Sequence, residues 1–259
     1  MKAAEMFSLQ GRVALVTGAS SGLGTQFAEA LADNGAAVAL VARRADRLAG
    51  VKQAIEAAGG RAVAIEADVT DRTAMTRAFD AAEKAFGTVT ILVNNAGIAQ
   101  SSRRAIEVSA EEWRKVLSVD LDAVFYNAQE AARRMLTANK RGAIINIASI
   151  LGFGVSKGVA AYATAKAAVV QITKARAVEL AFKGVRVNAI APGWFVTEIN
   201  DKYLASEAGE ALKRQIPMGR FGKDGDLDGA LLLLVSDAGS YITGATIVVD
   251  GGQVVMITG

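Results

Sequence analysis

The 259-residue chain has no cysteine, no histidine, only two prolines, and aromatic side chains at 6% of its positions. Without cysteine there is no disulfide framework, thiol nucleophile, iron–sulfur cluster or thiolate zinc site. Without histidine every imidazole base or ligand is excluded, and with it the Ser-His-Asp triad. No metal site is expected. Proton chemistry near neutral pH falls to Tyr, Lys, Asp or Glu in environments that shift their titration. The 26 glycines come without proline enrichment or a low-complexity run, which excludes a disordered or fibrous chain.

Charge of one sign is also scarce. Lys and Arg total 29 against 26 acidic residues, and the arginine pairs at 43–44, 103–104 and 133–134 are dispersed, so no nucleic-acid partner is expected. The longest uncharged stretch, Ala85 to Ser102, is broken by two Gly, two Asn and a Gln, which excludes a membrane span there. Residues 1–10 carry Lys2 and Glu5 and no apolar core or small-residue cleavage site, so a cytoplasmic protein is expected. At 52% hydrophobic the chain can bury a large core as a single domain over residues 1–259.

What is present is an alternation of short apolar runs with longer Ala-rich segments of helical period. Strands are predicted at Arg12–Thr17, Ala36–Val41, Ala62–Glu66, Val89–Asn94, Ala143–Ala148, Val185–Ile190 and Thr246–Asp250. Their interiors are apolar nearly throughout, as in a parallel sheet covered on both faces. Helices are predicted at about 22–34, 44–58, 71–86, 109–138, 161–182 and 226–236, several stopped by a glycine, and Ser109-Ala-Glu-Glu112 reads as a capping box. The fold class is α/β, a Rossmann-type doubly wound, seven-stranded parallel sheet with helices on both faces. The irregular stretch at about 192–225, with a short helix near 206–215, is a candidate substrate lid.

Three motifs carry chemistry. Thr17-Gly18-Ala19-Ser20-Ser21-Gly22-Leu23-Gly24 falls where the first strand meets the first helix. Its glycines let backbone N–H groups and a helix N-terminus approach a pyrophosphate. The second strand ends at Ala42, where a carboxylate would suit a free ribose 2′-hydroxyl, and Arg43-Arg44 follow, which suit a 2′-phosphate. NADP(H) is therefore expected over NAD(H). Tyr162 and Lys166 stand four apart on one helix face, so the ammonium can favour the tyrosinate form, and Ser149 lies thirteen residues earlier, just past the fifth strand.

These residues together resemble the short-chain dehydrogenases/reductases, in the compact single-domain branch and over essentially the whole chain. Asn94-Asn95-Ala96-Gly97, Pro192-Gly193…Thr197, Ile242-Thr243-Gly244 and Val249-Asp250-Gly251-Gly252 extend the match. The similarity is greatest to 3-oxoacyl-carrier-protein reductases and to polyol and sugar dehydrogenases. The resemblance implies interconversion of a ketone and a secondary alcohol by hydride transfer. It makes Tyr162 the general acid or base, Lys166 the partner of the nicotinamide ribose, and Ser149 a donor to the substrate oxygen. It puts Asp68 and Val69 at the adenine and Asn95, Ala96 and Gly97 at the adenosine ribose. Pro192, Gly193, Phe195 and Thr197 would line the nicotinamide.

One position departs from the family: Asp120 stands where an Asn is usual. The family's Asn acts through its backbone carbonyl, which Asp retains, so a proton relay is expected to survive with a shifted pH profile. Phe153, Trp194, Ile199 and Tyr203 are candidates for an apolar substrate wall. The helix around 161–182, apolar on nearly every face, predicts burial against a second subunit and, with the family's habit, a homotetramer. A sugar or polyol dehydrogenase is the enzymatic alternative. A sensor without turnover would be expected to lack the phenol or the ammonium, and this chain has both.

Overall fold

The computed structural model describes residues 2–256 apart from 101 and 199. Seven strands form its sheet: β1 (Val13–Thr17), β2 (Ala37–Ala42), β3 (Arg61–Glu66), β4 (Ile91–Asn94), β5 (Gly142–Ile147), β6 (Val185–Pro192) and β7 (Thr246–Val249). All pair in parallel, in the order β3-β2-β1-β4-β5-β6-β7. The predicted strands are therefore all present, with ends that differ by two residues at most.

Apart from a one-turn helix at Ala3–Met6, the α-helices among the described residues are α1 (Gly22–Asp33), α2 (Ala45–Ala57), α3 (Arg72–Phe86), α4 (Ala110–Leu117), α5 (Ala123–Thr137), α6 (Ala160–Ala181), α7 (Asp201–Leu204), α8 (Glu207–Lys213) and α9 (Asp228–Val235). Alternate residues of each central strand enter opposite cores. Ala14 and Val16 of β1 face Phe27, Leu31 and Leu48 from α1 and α2, along with Leu231 from α9. Val13 and Leu15 face Met75, Phe79 and Met135 from α3 and α5. Both faces are covered, so the strands read as continuous apolar runs instead of alternating ones.

The predicted helix at 109–138 is interrupted. A π-helical turn at Ser118–Asp122 separates α4 from α5 without a break in direction. The wider turn rotates the face that follows it, and it falls where Asp120 must turn inward. The capping box is half formed, since Ser109 accepts from the Glu112 N–H and the return bond is missing. Arg134 ties α3 to α5: its guanidinium meets Asp80 at 2.8 Å, Glu83 at 2.8 Å and Glu130 at 2.7 Å. Burial opposes that charge, but the three carboxylates outweigh it and hold the group protonated.

The strand order reverses between β1 and β4, and the crevice outside their C-terminal ends is where an open α/β sheet takes a ligand. Each motif singled out above opens on this side of the sheet.

Candidate active site

The glycine turn is held shut from β4. Thr17 Oγ1 accepts from the N–H groups of Asn95 at 3.0 Å and Ala96 at 3.1 Å and donates to Val93 O. Asn95 Nδ2 donates to Thr17 O at 3.0 Å, so its amide nitrogen serves the turn itself. A Cβ at Gly18 would lie 2.8 Å from Asn95 Nδ2, and one at Gly24 would collide with Gly18 O. Bare backbone is therefore required at both positions. The N-cap residue of α1, Ser21, provides no side-chain cap. The first-turn N–H groups of Gly22, Leu23 and Gly24 thus face outward with the helix dipole behind them, which suits the pyrophosphate of a dinucleotide.

Ser149, Tyr162, Lys166 and Asp120 are brought together by β5, α6 and the π turn. Lys166 is 4% exposed and Asp120 fully buried, with Nζ 3.1 Å from Oδ1 in an ion pair short of an aligned hydrogen bond. Nζ also donates to Ile147 O at 3.0 Å, and Asp120 Oδ2 accepts from the Ile98 N–H at 3.1 Å. Of the three ammonium donors, one is committed to a carbonyl and one faces a carboxylate, which leaves one for the crevice. Nζ stands 5.4 Å from the centre of the Tyr162 ring. Burial alone would push Lys166 down, but the Asp120 charge, helped by Tyr162, outweighs it and holds the ammonium above the usual lysine range.

Close packing fixes this geometry. A Cβ at Gly97 would lie 2.7 Å from Asp120 Oδ1, so the Asn95-Ala96-Gly97 segment can pass the ion pair only with glycine there. A Cβ at Gly152 would lie 2.9 Å from Lys166 O, so the turn that carries Ser149 sits directly on α6. Ser149 Oγ accepts from the Leu151 N–H at 3.1 Å, which leaves its O–H free to donate. A buried amide ladder secures the rest: Asn94 Nδ2 donates to Asn146 Oδ1 at 3.0 Å, and Asn146 Nδ2 to Thr173 Oγ1 at 2.9 Å. It joins β4, β5 and α6, the elements that carry the site.

At the other end of the crevice the two arginines part company. Arg44 reaches across the glycine turn, with Nη2 at 3.2 Å from Ser20 Oγ and 2.6 Å from Ser21 Oγ. Arg43 is mostly exposed and lies 3.9 Å from Asp68 Oδ2. Burial opposes ionisation of Asp68, yet the Thr70 backbone and hydroxyl donors and Arg43 outweigh it and lower its pKa. Val69 is buried beside it.

The segment after β6 comes down on the same turn. Gly193 packs on Asp250, where a Cβ would lie 2.7 Å from the aspartate Cβ, and Pro192 closes β6 against Val249. A Cβ at Gly22 would lie 3.3 Å from Thr197 Cγ2. Thr197 is fixed by Asn200, whose Oδ1 accepts from its N–H at 2.8 Å. Phe195 is buried with its ring against Gly222, to which it is bridged. Among the expected wall residues, Trp194 and Tyr203 pack together at 6.0 Å between ring centres, Phe153 is half exposed, and Ile199 lies outside the described residues. A cavity of about 200 Å³ opens beside Trp194, lined also by Met218, Arg220 and Asp250.

Gln100 escaped the sequence reading. Helix α6 begins after Val159, which offers no side-chain cap. Gln100 Oε1 fills that role by accepting from the N–H groups of Ala161 at 2.9 Å and Tyr162 at 3.2 Å. The available signal was negative: an apolar N-cap before a functional helix means its first donors are satisfied from elsewhere in the chain. Arg47 and Glu198, which pair at 2.8 Å, were likewise unforeseen because 151 residues separate them.

Known proteins match this chain over nearly its whole length. The family model described as Enoyl-(Acyl carrier protein) reductase matches residues 18–253. The galactitol 2-dehydrogenase (L-tagatose-forming) of Cereibacter sphaeroides is 43% identical over 253 residues, covering 96% of this chain and 98% of that protein. The 3-oxoacyl-(acyl-carrier-protein) reductase FabG of Staphylococcus aureus strain Mu50 is 40% identical over 241 residues, covering 93% and 97%. Among solved structures, a gluconate 5-dehydrogenase from Burkholderia cenocepacia J2315 in complex with NADP and tartrate superposes with a TM-score of 0.93 at 34% identity, covering 99% and 100%. The chain belongs to the short-chain dehydrogenase/reductase family, and it is an oxidoreductase of alcohol and carbonyl groups. No helix among the described residues is long and apolar enough to cross a membrane.

Proposed function

We propose that this protein is an NADP(H)-dependent carbonyl reductase that interconverts a ketone and a secondary alcohol, with Tyr162 as general acid and base. The observation that carries the reading is the buried Lys166 ammonium, closed on Ile147 O and Asp120 and facing the Tyr162 ring. The dinucleotide, when bound, supplies or accepts the hydride. Tyr162 gives its phenolic proton to the carbonyl oxygen in reduction and takes it back in oxidation. Ser149, its Oγ already accepting from Leu151, donates to the same oxygen and stabilises the charge that develops there. The third donor of Lys166 serves the nicotinamide ribose or the phenol, and Asp120 keeps that lysine a cation.

The preference for NADP(H) is supported by Arg44 on Ser20 and Ser21, by the NADP in the Burkholderia structure, and by the absence of a carboxylate at Ala42. Arg44→Ala is expected to weaken NADPH by about 1–3 kcal/mol, roughly fivefold to 150-fold, and to leave NADH nearly unchanged. Arg43→Ala is expected to do less. Fluorescence titration with both nucleotides checks this, and equal losses for the two would make Arg44 structural. A second reading, a sugar or polyol dehydrogenase working mainly toward oxidation, draws on the similarity to the galactitol 2-dehydrogenase and to the Burkholderia gluconate 5-dehydrogenase.

Residues 192–225 form the substrate cover in this account, with Phe153, Trp194 and Tyr203 on its apolar wall. We further propose a homotetramer. Helix α6 turns Ala167, Ala175 and Val178 to the outside, and Phe182 at its C-cap is 89% exposed in the single chain. A stripe of this kind is what a subunit contact covers. A sedimentation run showing only monomer at micromolar protein would contradict it.

Asp120→Asn tests the electrostatics. The Asn keeps the backbone carbonyl and the shape, so activity should persist within about tenfold. Without the carboxylate that holds it up, Lys166 loses its proton at a lower pH. The alkaline limb of the activity-versus-pH curve should move to lower pH. An unmoved curve would strip the carboxylate of an electrostatic role.

A further inference from the structure

Glu198 joins the proposed cover to the cofactor turn. Its Oε2 lies 3.3 Å from Arg44 Nη1 and its Oε1 2.8 Å from Arg47 Nη1. Arg44 meanwhile bonds Ser20 and Ser21 through Nε and Nη2, so one guanidinium is gripped by the glycine turn on one side and by the cover on the other. Hydrogen bonds from Arg47 and Arg44, in that order, hold the Glu198 carboxyl ionised. A carboxylate and a phosphate offer a guanidinium the same pair of anionic oxygens. Glu198 thus occupies a donor of Arg44 that a ribose 2′-phosphate would take.

We propose that Glu198 is a cofactor-discriminating latch. In the free protein its carboxylate closes on Arg44 and Arg47 and ties the segment after β6 to the glycine turn. A nucleotide with a 2′-phosphate displaces the carboxylate and unties that segment. A nucleotide with a free 2′-hydroxyl leaves it tied. The inference rests on the reading of Arg44 as the 2′-phosphate partner. All three side chains are about half exposed, between 46% and 52%, so the competition is screened by solvent and tunes selectivity without blocking the site. The latch also links cofactor choice to access: Thr197, the neighbour of Glu198, packs against Gly22, and Trp194 and Tyr203 of the cover lie within five residues of it.

The test is calorimetric titration of the wild type and Glu198→Gln, at one low ionic strength, with adenosine 2′,5′-bisphosphate and with 5′-AMP. The wild type is expected to bind the bisphosphate more tightly. Glu198→Gln should tighten the bisphosphate about two- to fivefold and leave 5′-AMP unchanged. Tryptic cleavage after the exposed Lys202 gives a second readout. The bisphosphate should speed it in the wild type, 5′-AMP should not, and Glu198→Gln should be cut quickly without nucleotide. A variant that shifts both nucleotides alike or neither, or cleavage indifferent to both, overturns the latch. If the wild type itself fails to distinguish the two nucleotides, the Arg44 reading falls and takes the latch with it. If it distinguishes them and the variant changes nothing, the latch alone falls.

Discussion

Replacing Tyr162 by Phe is expected to lower kcat about 10²–10⁴-fold, the range that a positioned general acid or base contributes. The loss should be confined to the chemical step. The ring that stands 5.4 Å from Lys166 Nζ remains, as do the helix around it and the Gln100 cap on its first N–H groups. Nucleotide affinity and melting temperature should therefore hold. The outcome is read from steady-state rates, nucleotide titration and thermal unfolding on the same preparation. A fall in rate accompanied by equal losses of affinity and stability would make Tyr162 a packing residue.

Lys166→Met has the second large effect, and it falls on the fold as well as on the rate. Asp120 is fully buried, and apart from the Ile98 N–H its charge is answered by Lys166. Removing one partner of a buried pair leaves an uncompensated charge, at a cost of about 3–5 kcal/mol. Adding Asp120→Asn to the variant removes that charge and should recover most of the stability without recovering activity. Urea unfolding of the wild type, both single variants and the double closes the cycle. The pH dependence has a fixed sign. Because folding raises the Lys166 pKa, the pair's contribution is complete below the unfolded lysine value, about 10.4, and is lost as the pH climbs through the folded one. The stability gap between Lys166→Met and the wild type should thus be largest near neutrality and narrow in strong alkali. A double variant no more stable than Lys166→Met would mean that Asp120 is held by something other than the lysine.

Much of this architecture was legible in the sequence because parallel strands buried on both faces are short apolar runs, and these need no tertiary information to find. The placement of the glycine turn, Tyr162 and Lys166 was legible because local spacing fixes it: four residues along α6 set the phenol and the ammonium on one face. Relations made across the sheet were not. The π turn at Ser118–Asp122 interrupts a helical pattern that continues through it in the sequence, so nothing local marks it. The partners of Arg44 are set by how β2, the glycine turn and the segment after β6 converge; sequence adjacency gave Arg43 and Arg44 the same role, whereas only Arg44 reaches the serines. Gln100 caps a helix 60 residues away, and Gly152 is required because α6 passes directly beneath it. Contacts of that kind are properties of the packed molecule.

The central claim, a cation-supported phenol that moves a proton while NADP(H) exchanges a hydride, is tested most directly by nucleotide consumption at a fixed pH. NADPH and NADH would each be offered with a 3-oxoacyl thioester, cyclic and aryl ketones, a 1,2-diketone and keto-sugars. The account predicts turnover of at least one carbonyl class with NADPH, slower turnover with NADH, and rates lowered about 10²–10⁴-fold with either nucleotide when Tyr162→Phe replaces the wild type. Tight NADPH binding with no turnover of any class, or a Tyr162→Phe rate equal to that of the wild type, would contradict it.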